Sequence, residues 1–173
     1  MKLTVDGIEA FAATGGRPFD AAKPALVFVH GAGMDHTVWT LQTRYFAHHG
    51  WSVLALDLPG HGGSAGPAMA ALPALADRVL KARAGGDALA LMMLGAAAAM
   101  PVNPALQGAA DTGDHGAVEA MIGWGFGRPA QIGGNRAPGA WMPGAGLRTL
   151  ERGLRGPLGV DLKASNGYEG AKD

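Results

Sequence analysis

The chain of 173 residues carries fourteen basic and fourteen acidic side chains, a balance that gives it no electrostatic reason to bind nucleic acid or an anionic membrane. It contains no cysteine, which excludes a disulfide framework and a thiolate zinc site. Its length suits one domain with a real core, but its 29 glycines, many in the second half, lose more backbone freedom on folding than other residues and predict a loosely held C-terminal portion.

Met1 to Asp6 lacks an apolar signal core, so a cytoplasmic location is expected. Leu3 to Val5 and Ile8 to Ala13 flank Asp6-Gly7, a two-residue turn signal that predicts an antiparallel hairpin. Thr14 to Lys23 is a polar connection into Ala25 to His30, an apolar β-branched run of strand length. After the glycine turn His30-Gly31-Ala32-Gly33, Asp35 is placed to cap a helix whose apolar face is read as Val38, Leu41, Tyr45 and Phe46, with Gly50 as its left-handed stop. Ser52 to Asp57 is a second strand run. Strand, helix and strand in this order imply a parallel pairing.

Pro59 to Pro67 reads as loop, Pro73 to Arg83 as a second helix ended by Gly85-Gly86, and Asp87 to Leu94 as another buried strand, although its Ala, Leu and Met content would also suit a helix. The longest apolar run, Ala88 to Val102, is too short to span a membrane and is broken by Gly95 and Pro101. From Pro101 the texture changes to short amphipathic segments cut by Gly and Pro: Pro104 to Ala110, His115 to Ile122, Gly146 to Leu154 and Val160 to Ser165.

The turn His30-Gly31-Ala32-Gly33 and the later Asp57-Leu58-Pro59-Gly60-His61-Gly62-Gly63-Ser64 resemble, at this spacing, the α/β-hydrolase fold enzymes of the lactonase, esterase and haloperoxidase-like branch. The resemblance implies an α/β fold class. Residues 1–100 would form a partial core, an incomplete sheet with an N-terminal hairpin followed by parallel strands and flanking helices, and residues 101–173 a helical cap-like segment that includes Trp124-Gly125-Phe126-Gly127 and the glycine-rich run Gly133 to Gly139. It also implies that His30 orders the turn, that the Ala32 N–H is one of two oxyanion donors, and that Gly31, Gly33 and His61 line the pocket mouth. A small-molecule ester or lactone is the implied substrate class, with no cofactor.

Acyl transfer in this fold needs a serine on a strand-to-helix elbow, then an acid, then a histidine. The serines are Ser52, Ser64 and Ser165. Gly62-Gly63-Ser64-Ala65-Gly66 satisfies G-x-S-x-G formally, but it lies in a loop several residues past its strand and runs into Pro67, so a structural role is favoured for Ser64. The segment Leu94-Gly95-Ala96-Ala97-Ala98-Ala99-Met100-Pro101 follows the next strand without a serine: either this strand holds the elbow position with alanine in place of serine, or, the favoured reading, the elbow and its helix are deleted. With the chain ending inside the cap-like region, the resemblance implies an internally shortened and C-terminally truncated hydrolase. Asp111, Asp114 and His115 read as solvent-facing capping groups. His48-His49 point about 100° apart on a helix and suit its C-terminal dipole better than a metal, and Trp39, Trp51, Trp124 and Trp141 read as packing groups.

Three functions remain open on the sequence. One is a hydrolase-derived chain that is inactive as it stands; a second is a minimal esterase using Ser64 with His30 or His61; a third is a non-catalytic interaction module, self-associating through an exposed sheet edge.

Overall fold

A computed structural model describes residues 1–70, 99–134 and 141–168. The helix expected over 73–83 and the strand expected over 87–94 lie outside these residues, as does most of the glycine-rich run after Gly133. β1 (Lys2–Val5) and β2 (Ile8–Ala13) form the hairpin, with Val5 opposite Ile8. Asp6 and Gly7 both take positive φ, 50° and 76°, which is what a two-residue turn matched to strand twist requires.

β3 (Ala25–Val29) pairs parallel with β4 (Ser52–Leu56), and β2 pairs antiparallel with the other edge of β4, so the four strands run in the order β1-β2-β4-β3. Every residue of β4 is buried, as a strand covered on both faces should be. β3 differs: Val27 and Val29 are 37% and 39% exposed while Leu26 and Phe28 are half-buried. β2 keeps its expected limits, and the other three strands each differ from theirs by one residue at one end, because ladder pairing and not apolar character ends them.

Between β3 and β4 a 3-10 turn (His36–Trp39) leads into α1 (Thr40–Ala47). Asp35 caps it by accepting the Thr37 N–H at 2.9 Å. Only part of the apolar face read from sequence turns inward: Val38 and Phe46 are half-buried, whereas Leu41 and Tyr45 are 71% and 57% exposed. The 3-10 turn has fewer residues per turn than an α-helix and shifts the phase of the helix it leads into. The inward residues are therefore Trp39, Thr43 and Phe46: the rings of Trp39 and Phe46 lie 5.3 and 6.1 Å from Phe28, and Thr43 is buried against Gly15.

The helical part comprises α2 (Pro104–Thr112), α3 (Gly116–Gly125), a short α4 (Arg128–Gln131), α5 (Met142–Leu154) and α6 (Pro157–Asn166). Asn103 caps α2 through the Ala105 N–H and Gly113 ends it with φ 69°. The last two helices start earlier than the periodicity suggests, because Pro143 and Pro157 supply first-turn positions where a missing N–H costs nothing. Two apolar clusters result. One, around Val5, Ala10, Ala12, Leu54 and Leu56, belongs to the sheet; the other joins Ala110, Ala117, Val118, Leu150, Leu154, Leu158 and Leu162 across the helices, and Ala32 and Met34 of the turn after β3 pack against it.

Two of the four tryptophans depart from the packing role expected of them. Trp124 and Trp141 are 65% and 62% exposed: Trp124 sits at the outer end of α3, and the Trp141 indole lies over Gly144, where a Cβ would collide with the ring.

Candidate functional site

The site is built where β3 and β4 end side by side. Past β3, the buried His30 ring has its Nδ1 2.9 Å from the Gly31 carbonyl and its Nε2 3.1 Å from the Leu58 N–H. A carbonyl only accepts and an N–H only donates, so Nδ1 carries the hydrogen and the ring is neutral. Burial, opposed by the Gly31 carbonyl and assisted by the nearby His61, holds its pKa below the ordinary histidine value. His30 thereby ties the glycine turn to the loop after β4.

In that loop Asp57, its side chain fully buried, accepts from the His36 N–H at 2.6 Å, from His36 Nδ1 at 2.9 Å and from the Gly63 N–H at 2.8 Å. A Cβ at position 62 would collide with the Asp57 carboxylate, and Gly62 has φ 49°, so the glycine is a steric condition of this bonding. Ser64 Oγ donates to the Asp57 carbonyl at 2.6 Å and accepts from the Phe11 N–H at 2.8 Å. It stitches the loop to β2.

His61 is 2% exposed and its ring centroid lies 4.8 Å from that of His30. Its Nδ1 is 3.0 Å from the Pro59 carbonyl and its Nε2 2.7 Å from Asp161 Oδ2. Both nitrogens thus face acceptors. Burial works against a charge here, but the hydrogen bond and charge of Asp161, with the carbonyls of Pro59 and Leu58, outweigh it and raise the His61 pKa. The two neighbouring histidines, their rings tilted by 52°, are therefore pushed in opposite directions.

Asp161 arrives from α6, one helical turn after Leu158, so both face the turn after β3. Its Oδ2 also accepts the Gly33 N–H at 2.8 Å, while Oδ1 is buried without a partner among the described residues. The approach is close: a Cβ on Gly33, whose φ is 66°, would meet Leu158 at 2.6 Å, and a Cβ on Gly153 would collide with the Gly33 carbonyl. A second tie runs beside it, from Arg152 Nε to Asp35 Oδ2 at 2.9 Å and from the same guanidinium to Thr37 Oγ1 at 2.8 Å. Against the cost of burial, the Thr37 hydroxyl and N–H and the Arg152 cation hold the Asp35 pKa below the usual carboxylate range.

The structure thus brings His30, Gly31, Ala32, Gly33 and His61 together, with Ser64 on the far side of the Asp57 loop. Asp161, Asp35 and Arg152 were not singled out from the sequence as site residues. The signal for Asp161 was an acid three residues after Leu158 and next to Leu162, on the apolar side of a helix.

All three serine hydroxyls donate to main-chain carbonyls: Ser52 to Asp20 at 2.6 Å, Ser64 to Asp57, and Ser165 to Asp161 at 2.9 Å. No group of three metal-ligating side chains occurs among the described residues. His49 Nδ1 instead lies 2.6 Å from the Tyr45 carbonyl at the end of α1, and Asp111 pairs with Lys163 at 2.9 Å. The open cleft of about 610 Å³ between α2, α5 and α6 is lined by Asp111, Arg155 and Lys163 and by none of the turn residues. Open to solvent and lined by none of the turn residues, it is not their pocket.

The sequence profile of the alpha/beta hydrolase family matches residues 26–167. Short stretches resemble curated proteins: 42% identity over 50 residues with Protein ABHD8 of Homo sapiens, covering 29% of this chain and 11% of that protein. For (E)-2-((N-methylformamido)methylene)succinate hydrolase of Acinetobacter baylyi the identity is 49% over 39 residues, 22% of this chain and 14% of the relative. For 2-succinyl-6-hydroxy-2,4-cyclohexadiene-1-carboxylate synthase of Salmonella paratyphi B it is 48% over 48 residues, 28% of this chain and 18% of the relative. The match therefore spans less than a fifth of each relative. Among solved structures, a hydrolase from Pseudomonas aeruginosa aligns with a TM-score of 0.61 at 17% identity over 97% of this chain and 72% of that one. The bottromycin epimerase BotH, solved in complex with bottromycin A2, aligns at 0.57 with 22% identity over 99% of this chain and 73% of its own. At those identities the likeness is one of fold.

Proposed function

Since the chain belongs to the alpha/beta hydrolase family, we propose that it carries the donor turn of an ester- or lactone-type hydrolase site without an activated nucleophile, and is inactive toward such substrates as it stands. The observation that carries this reading is the bonding of the three serines. A nucleophilic hydroxyl must hand its proton to a base, and each of these hydroxyls donates to a carbonyl instead. With no cysteine in the chain, a thiolate is not an alternative.

One feature of the turn supports reading it as an oxyanion-type site. The Ala32 N–H makes no hydrogen bond to the described residues, so it is free to act as a preorganised donor to developing negative charge. One donor without an attacking group lowers no acyl-transfer barrier. The competing reading, a minimal esterase based on Ser64, requires that hydroxyl to leave both Asp57 and Phe11 and to find a base, but His61 already directs both nitrogens to other acceptors.

The test is hydrolysis of a small activated ester, p-nitrophenyl acetate, by the chain and by Ser64→Ala. Equal rates, within the background expected of surface histidines, are the predicted outcome. A loss of tenfold or more in Ser64→Ala would establish the esterase reading in its place.

A second reading, an interaction module that pairs with another copy of itself, is favoured by one observation. Val27 and Val29 on one face of β3 are exposed, in a strand whose register with β4 would bury them in a completed two-sided layer.

A further inference from the structure

We propose that the Gly33 turn is an anion-binding site that the chain keeps filled with its own Asp161 carboxylate, and that a small monocarboxylate takes this place when Asp161 is removed. This site goes beyond the bonding of the serines and does not depend on whether any ester is cleaved.

Two donors converge on one oxygen: the Gly33 N–H at 2.8 Å and His61 Nε2 at 2.7 Å both meet Asp161 Oδ2. These are the lengths of charge-assisted bonds, and a main-chain N–H with an imidazolium recognises a carboxylate oxygen in particular. The proton between His61 and Asp161 cannot be lost without leaving two acceptors face to face. His61 Nδ1 is committed to the Pro59 carbonyl, so the ring cannot turn to offer a different edge.

The contact is not what a purely structural ion pair would look like. The Asp161 side chain is 7% exposed, yet its Oδ1 has no partner among the described residues. A buried carboxylate that satisfies one oxygen and leaves the other unpaired forfeits much of what burial of the charge costs. Its stabilisation therefore comes from the two donors on Oδ2, which would otherwise be buried without an acceptor.

The surroundings explain why this carboxylate reaches the turn. The Gly33 Cα and carbonyl lie against Leu158 and Gly153 so closely that neither glycine tolerates a side chain, which brings α5 and α6 within main-chain distance. The other carboxylates near the turn have partners of their own: Asp57, whose charge acts on His30, is taken by His36 and Gly63, and Asp35 by Thr37 and Arg152. Asp161 is the carboxylate left to serve the turn. α6 acts as a stopper whose plug is a carboxylate.

The test uses the full chain carrying Asp161→Gly, followed by thermal unfolding in formate, acetate or chloride at equal ionic strength. Formate or acetate should raise the melting temperature saturably by roughly 2–4 °C, chloride should not, and adding His61→Gln should abolish the gain. No saturable carboxylate effect, or an effect that survives His61→Gln, would overturn the proposal. If Asp161→Gly does not fold, nitrogen NMR of the unaltered chain decides. Two protonated ring nitrogens on His61 beside a neutral His30, with a strongly downfield Gly33 amide proton, support the filled site, and a singly protonated His61 with an ordinary Gly33 amide refutes it.

Discussion

His30 and His61 lie side by side with their rings tilted by 52°, and the partners of each decide its charge. His30 has a carbonyl on one nitrogen and an N–H on the other, so burial leaves it neutral; His61 has acceptors on both, so Asp161 keeps it protonated. A histidine with a raised folded pKa contributes stability that is present below its unfolded value, near 6.5, and is lost as pH rises through the folded one. The lowered pKa of His30 works the other way: its contribution is present above about 6.5 and is lost as pH falls through the folded value. Both are satisfied together only around the ordinary histidine range. The expected outcome is a stability maximum near pH 6 to 7, read from urea midpoints across pH, whose alkaline limb flattens in His61→Gln. An unchanged alkaline limb in that variant would show that the ion pair does not set this dependence.

At the level of elements, α5 and α6 are held to the end of β3 by two polar ties and a glycine contact. Arg152 is half-exposed and its bond to Asp35 is correspondingly screened, but Asp35 is buried and would be left with only Thr37. Arg152→Met should therefore destabilise by about 1–2 kcal/mol, and by much less when Asp35→Asn is already present, as a double-mutant cycle in urea would reveal. Additive effects would mean the tie is only an exposed contact. The hairpin, the parallel β3–β4 pair and the Asp35 cap were legible in the sequence because each rests on a local rule. The inward face of α1 was legible only at Phe46, since the phase shift from a 3-10 turn leaves no mark on apolar spacing. Nor was Asp161, whose meaning depends on a contact with Gly33 more than a hundred positions away.

For the whole molecule, the family resemblance named the fold, and the turn and Asp57 loop motifs named the part of the site that their own main-chain bonding builds. What those motifs leave out is the occupant of the turn, because that comes from a helical segment with no motif of its own. The exposed valines of β3, with Trp51 and Trp124 also at the surface, make self-association the expectation for this chain. Sedimentation velocity should show a mass that rises with concentration, and a single monomeric species at all concentrations would count against the interaction reading. The central claim, that no serine here is an activated nucleophile, is tested most directly by intact-mass analysis after treatment with a fluorophosphonate, which bonds covalently to such a serine alone. The unmodified mass is the predicted result; a stoichiometric adduct, above all one lost in Ser64→Ala, would contradict it.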